Sequence, residues 1–242
     1  MQTPTQYNQT FYQNQSPGSR RSAEVVVPLV LDLVSPTSVL DVGCGVGTWL
    51  SVFAEQGIST ITGLDGDYVD TAMLHIPNQS FIPHDVKTPL PLPAHQTFDL
   101  AVSLEVAEHL PANCAESFVQ QLTQRAPVIL FSAAIPHQGG VGHINEQWPE
   151  YWAALFEKFG YVPVDALRHR IWNQPDVSWW YAQNMLFFVD KTKLADYPKL
   201  QTAAANTHTS QLSLVHPARY LQSARPKKKG PLKRIGQFLG IK

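Results

Sequence analysis

The sequence predicts an α/β fold, a doubly wound and mostly parallel sheet of seven strands with helices on both faces. Three observations carry this expectation. Apolar runs of strand length alternate with segments of helical periodicity along most of the chain, as in a parallel sheet covered by helices. Residues 39–49, Val-Leu-Asp-Val-Gly-Cys-Gly-Val-Gly-Thr-Trp, read as a buried strand entering a glycine-dense turn and then a helix. Acids recur at the ends of apolar runs, at Asp41, Asp65, Asp85, Asp99 and Glu105, and open α/β sheets bind ligands outside the carboxyl ends of their strands.

The elements follow in order. Residues 1–21 read as a flexible N-terminal segment, polar and low in complexity over 1–17. From Ser22, the residues Val26, Leu29, Val30 and Leu33 recur at helical spacing. Pro28 predicts a kink or a late start, and Ser35-Pro36 ends the helix. Residues 39–42 suit a strand buried on both faces. Residues 48–56 are the next helix, closed by Gly57. Residues 60–64 form a second strand ending in Asp65, and 81–83 a short third strand ending near Asp85. The proline-dense stretch 88–96 is a loop. A fourth strand over 98–104 ends in Glu105, a helix spans 112–124, and a fifth strand spans 128–132. A glycine loop at 138–142 precedes a helix over 148–159 that ends at Gly160, and strands at 161–166 and 184–189 complete the sheet. The folded domain is therefore expected at 22–195, with a linker at 196–224 and a basic tail at 225–242.

Bulk properties bound the function. At 242 residues the chain accommodates one large domain with tails. A hydrophobic content of 44% supplies a core and excludes global disorder. No apolar run reaches the ~18 residues of a membrane span, and the Gln/Asn/Thr-rich N-terminus lacks the apolar region of a secretory signal. Cys44 and Cys114 are far apart without metal-ligand spacing, so a reducing cytoplasm is the expected location. Residues 225–242 hold seven of the 18 Lys and Arg and no acid, which leaves 11 basic against 19 acidic residues in 1–224, a net of −8. That acidic body argues against a broad nucleic-acid footprint.

The glycine turn is chemically specific. Gly43, Gly45 and Gly47 let backbone turn sharply and approach a ligand closely. A pyrophosphate cradle wants bare N–H groups without a neighbouring carboxylate. Here Asp41 stands beside the turn, and the spacing is G-x-G-x-G rather than G-x-G-x-x-G. A ligand carrying positive charge fits better. Asp65 follows Gly47 by 18 residues, near the ~20 expected of an acid that grips a ribose diol. Asp67 is an alternative ribose ligand or a helix cap, and Trp49 packs over the ligand or in the core. Tyr12 and the stretch 16–21 are candidates for closing over the site from the N-terminal side.

These residues resemble motif I of the class I S-adenosylmethionine-dependent methyltransferases, whose fold is Rossmann-like and whose cofactor carries a sulfonium and an ammonium. The resemblance covers residues 37–190. It implies that Asp41, Gly43, Gly45 and Gly47 bind the methionine end, Asp65 the ribose and Asp85 the adenine amino group, with His84 or Val86 flanking the ring.

Residues 103–110, Ser-Leu-Glu-Val-Ala-Glu-His-Leu, form a second constellation, and His143 follows in the glycine loop. This Glu-x-x-Glu-His…His pattern resembles two methyltransferase subfamilies, one acting on hydroxyls of ubiquinone precursors and one on the terminal 2′-hydroxyl of small RNAs. The resemblance implies a divalent metal, Mg, Mn or Zn, on Glu105, Glu108, His109 and His143. Carboxylates and imidazoles are a suitable mixed donor set. Three readings stay open. Glu105, Glu108 and His109 serve catalysis at a metal; His109 acts alone as general base; or Glu105 anchors the cofactor while Glu108 and His109 cap a helix. His143 discriminates, because a metal needs it beside His109. The segment from Gly142 to Trp152 also resembles small bacterial methyltransferases encoded near polysaccharide genes. Trp148, Tyr151, Trp152, Trp172, Trp179 and Trp180 are candidates for an aromatic acceptor wall or for core.

The expected function is methyl transfer from S-adenosylmethionine to a hydroxyl oxygen of a small molecule, sugar or lipid-linked glycan. The alternatives are RNA 2′-O-methylation, a non-catalytic cofactor-binding or tethering role, and a nicotinamide enzyme. In the tail, Leu232, Ile235, Phe238 and Leu239 share a helical face beside Lys233 and Arg234. This predicts either a solvated tail or a peripheral contact with the inner membrane face.

Overall fold

The computed structural model describes residues 9–224, with side chains from Pro17 onward. The expected basic tail at 225–242 and the side chain of Tyr12 lie outside the described residues. Seven strands form one sheet in the order β3-β2-β1-β4-β5-β7-β6. They are β1 Ser38–Val42, β2 Thr60–Asp65, β3 Phe81–Pro83, β4 Leu100–Leu104, β5 Val128–Ser132, β6 Tyr161–Val164 and β7 Leu186–Asp190. The strands from β3 through β5 are parallel, and β7 runs antiparallel to both β5 and β6. The expected sheet is therefore present in number and in predominant direction.

Alternation along the strands divides the core into two layers. Val128 and Leu130 of β5 face one layer with Val39, Leu100 and Val102, covered by α1 (Gln9–Val34) and α2 (Thr48–Glu55). Ile129 and Phe131 face the other with Leu40, Val42 and Phe188, covered by α3 (Ala115–Thr123) and α4 (Pro149–Lys158). Trp152 is buried against Phe131 at 5.3 Å, so it belongs to this core and not to an acceptor wall.

Three expectations are corrected. The helix expected from Ser22 begins at Gln9 and continues through Pro17 and Pro28, so residues 9–21 are helical and not a flexible segment. An internal proline removes one backbone hydrogen bond, but Ala23, Val26, Val27 and Val30 are all fully buried, and their burial offsets that cost. Residues 196–224, expected as a linker, contain α7 (Pro198–Ala205) and α8 (Pro217–Ala224). Leu200 and Leu212 are buried, and Arg168 donates to the Leu212 carbonyl at 2.6 Å. Finally, Asp99 lies at the amino end of β4. Its Oδ2 accepts from the backbone and hydroxyl groups of Thr37 and Ser38 at 2.6–3.1 Å. Burial alone would raise its pKa, but these bonds lower it, as befits an anchor for the entry into β1.

Two short helices were not anticipated, α5 (Arg168–Ile171) and α6 (Trp179–Asn184). Among the described residues, no helix is long and apolar enough to cross a membrane.

Candidate active site

β1 lies between β2 and β4, so the chain winds to one side of it and then to the other. A crevice opens at such a switch point. Asp41, the turn from Gly43 to Val46, Thr48, Trp49 and Leu104 line it, joined by Ser19 of α1 and Tyr181 of α6. Ser19 comes from the stretch expected to close over the site. Its hydroxyl is 3.2 Å from that of Tyr181.

Gly43 and Gly47 hold φ of +88° and +78°. A Cβ on Gly43 would stand 2.3 Å from Val106 Cγ2, and one on Gly47 2.8 Å from Ile76 Cγ1. Conformation and space both exclude side chains there. The glycines thus serve internal packing in addition to the ligand approach expected of them. The Gly45 amide donates to Asp65 Oδ2 at 2.7 Å. Asp65 Oδ1 accepts from the Gly66 amide at 2.7 Å and the Tyr68 hydroxyl at 2.5 Å. Burial raises the Asp65 pKa, and these bonds lower it only in part. Asp41, 3% exposed, is pushed up to about 8 by burial and then by the charge of Asp65. Two buried acids at one crevice suit a cationic ligand, which relieves both terms.

Asp85 stands apart. It is exposed at the end of β3, pairs with Lys87 Nζ at 3.1 Å and accepts from the Lys87 amide at 3.1 Å. It is not among the residues that line the crevice. Asp67 is exposed as well.

The second constellation assembles beyond the end of β4. Glu108 and His109 lie in a short 3-10 turn, Ala107–His109. The amides of Ile144 and Asn145 both donate to the Glu108 carbonyl, at 2.9 and 3.0 Å, and this clamps the 143–145 segment onto that turn. His143 consequently meets His109, with ring centroids 4.8 Å apart and planes at 86°. One ligand atom each of Glu108, His109 and His143 falls within 4.8 Å of the others.

The chemistry of this donor set fits a cation. Glu108 is 0% exposed, and neither carboxylate oxygen has a hydrogen-bond donor in bonding geometry. Burial, and then the charge of Glu105, raise its pKa well above the usual carboxylate range. His109 is pushed down to about 4 by burial and then by His143, so its ring is neutral near pH 7. His109 Nδ1 lies 3.3 Å from the Gly142 carbonyl and His143 Nδ1 2.9 Å from Glu146 Oε1. The His109 contact needs a protonated Nδ1, and on that neutral ring Nε2 keeps the lone pair. His143 turns its Nδ1 to Glu146 and its Nε2 toward Glu108, 3.9 Å from Oε1.

Glu105, expected in the same set, is elsewhere. It holds a φ of +56°, and its carboxylate accepts from Gln138 Nε2 at 2.9 Å and Asn184 Nδ2 at 3.0 Å. Gln138 Oε1 accepts in turn from Gln183 and Asn184 at 3.1 and 2.9 Å. These amides turn the carboxylate toward Gln138 and Asn184, and Glu105 is not among the residues whose ligand atoms converge with Glu108. Gln138, Gln183, Asn184, Tyr181 and Glu146 were not anticipated. Only Glu146 had a visible signal, its place three residues after His143.

The sheet order with its antiparallel β7, and a glycine turn flanked by buried acids, define a class I S-adenosylmethionine-dependent methyltransferase. The chain belongs to the family described as Methyltransferase domain, whose model matches residues 12–173. No curated protein sequence matches it significantly. Solved structures share the fold. The amino pentose methyltransferase CalS10 of Micromonospora echinaspora, bound to S-adenosylmethionine, is 17% identical over 74% of this chain and 96% of its own, with a TM-score of 0.55. The magnesium protoporphyrin IX methyltransferase ChlM of Synechocystis PCC 6803 is 16% identical over 74% and 88%, with a TM-score of 0.52. The methyltransferase domain of bacterial CtHen1 is 21% identical over 70% and 97%, with a TM-score of 0.50.

Proposed function

We propose that this enzyme methylates a hydroxyl oxygen of a small molecule, a sugar or a lipid-linked glycan at a site organised by a divalent cation. The observation that carries the reading is the buried Glu108 carboxylate, which has no donor in bonding geometry, only the nearby Glu108 and Ala134 amides, and faces two imidazoles. A carboxylate so placed is costly unless a cation accompanies it.

S-adenosylmethionine supplies an electrophilic methyl group on a sulfonium, so the cofactor needs no further activation. A divalent cation supplies Lewis acidity to a hydroxyl, which is a poor nucleophile until it loses its proton. The residues of the chain orient and exclude. Asp41 and the turn at Gly43, Gly45 and Gly47 receive the methionine end, Asp65 the ribose hydroxyls, and Asp85 the adenine edge after leaving Lys87. Glu108, His109 and His143 hold the cation, and Glu146 and the Gly142 carbonyl fix the two rings. Glu105 acts as a positioning residue, since its amide partners hold the backbone between the two sites. A His109 pKa of about 4 makes the ring a weak base at neutral pH, which favours its role as a ligand over that of a lone general base. The ubiquinone-precursor enzymes and the small-RNA 2′-O-methyltransferases remain the two subfamilies that the Glu-x-x-Glu-His…His pattern resembles.

The test is mass spectrometry of metabolite and glycan extracts incubated with the enzyme and labelled cofactor, with and without EDTA. One added methyl group, lost with EDTA, is the expected result. Labelling only of RNA moves the acceptor to a 2′-hydroxyl. Activity indifferent to EDTA and to restored metal removes the cation from the reading. Absence of calorimetric binding to S-adenosylmethionine removes the enzyme reading altogether.

A further inference from the structure

The loop that carries His143 exposes large apolar side chains beside the candidate cation site. Val141 is 53% exposed, Ile144 62% and Trp148 41%. The loop is held by named bonds. Glu146 accepts from the His137 and Gly139 amides at 2.7 and 2.8 Å, and the Ile144 amide is bonded to Glu108. These side chains are therefore presented to solvent by a fixed backbone.

A second apolar strip runs along the flank of this loop. Ser213 bonds Glu150, two residues after Trp148. The His216 amide donates to Gln183 Oε1 at 2.8 Å, and Arg219 donates to the His137 carbonyl at the start of the loop. This segment exposes Leu214, Val215, Tyr220 and Leu221, the last two at 63% and 59%. Apolar side chains grouped in this way mark a surface that is covered in use.

Charge identifies what covers it. The chain passes from α8 directly into residues 225–242, which hold seven Lys and Arg and no acid, while the rest carries a net of −8. The acidic body as a whole disfavours an anionic surface, and the basic segment favours one. An apolar protein surface would account for the exposed side chains and leave the run of cations without a partner. An anionic bilayer engages both.

We propose that the rim formed by Val141, Ile144, Trp148, Tyr220 and Leu221 seats on the surface of an anionic lipid bilayer, with the basic segment at 225–242 as its electrostatic anchor. The seat places the acceptor side of the proposed site at the lipid headgroups, where a lipid-linked acceptor presents its hydroxyl. This last consequence rests on the proposed function, and the binding itself does not.

The test is co-sedimentation of the full chain with vesicles of phosphatidylcholine alone or mixed with phosphatidylglycerol. Binding is expected only to the mixed vesicles, and it weakens as salt rises. Ile144→Ser with Trp148→Ser, and separately Tyr220→Ser with Leu221→Ser, lower the partition constant about tenfold. Lys227→Gln, Lys228→Gln and Lys229→Gln together lower it by at least as much. Failure of the full chain to sediment with mixed vesicles overturns the proposal. So does wild-type binding by both apolar variants, which would assign the contact to the tail alone. Calorimetry with S-adenosylmethionine on each variant is expected to give wild-type affinity. Loss of cofactor binding by the wild-type chain would sink the proposed function and leave the vesicle result standing.

Discussion

Asp65 closes one parallel strand and Glu108 lies beyond the end of another; both are buried acids, and they are treated in opposite ways. Asp65 accepts from two amides and a hydroxyl. Glu108 has no donor in bonding geometry and faces two imidazoles. A satisfied carboxylate is held ready to exchange hydrogen bonds with a neutral or cationic ligand. An unsatisfied one in a buried setting keeps its proton or takes a metal. The cofactor side of the site is thus built from hydrogen bonds, and on the proposed reading the acceptor side would be built from coordination.

The largest test of that contrast is Glu108→Gln. Methyl transfer is expected to fall about 10²–10⁴-fold, while the thermal midpoint of the metal-free protein does not fall, because a neutral amide replaces a buried carboxyl. A variant that unfolds more easily at unchanged activity would make Glu108 a structural residue. Asp65→Ala comes next. Losing hydrogen bonds to a charged group weakens S-adenosylmethionine binding about 10–100-fold in calorimetry, with cation affinity untouched. Glu146→Gln sharpens the other side. It frees the His143 ring and weakens cation binding about tenfold in a competition with EDTA, at constant cofactor affinity.

The smallest effect is one of pH. In the folded protein Asp41 keeps its proton up to about 8, and in the unfolded chain it releases it near ~4. Between those values the folded state binds more protons, so stability falls as pH rises. Asp41→Asn is expected to flatten the decline of the cofactor-free thermal midpoint across that window. An unchanged slope would assign it to another group.

The parts of this structure legible in the sequence were those with local periodicity or fixed spacing. Five parallel strands and the glycine turn were in view, and the meeting of Glu108, His109 and His143 was one of three open readings, with Glu105 wrongly included in the set. What escaped depended on partners distant in the chain. Nothing near Glu105 announces that Asn184, 79 residues later, fills its lone pairs. Arg168 reaches the Leu212 carbonyl across 44 residues, and this bond, with buried Leu200 and Leu212 and the partners Glu150 and Gln183, docks the segment read as a linker. Asp99 was misassigned for a simpler reason. Composition marks an acid near a strand, but only strand direction says which edge it occupies.

The contact between Gly43 and Val106 ties the two halves of the site to one another. Val106 fills the position that a Cβ on Gly43 would take, 2.3 Å from its Cγ2, and it sits between Glu105 and the turn that bears Glu108 and His109. A larger side chain at position 106 would therefore press on the methyl-donor turn, and in a laboratory lineage carrying one, compensating changes should accumulate around residue 43.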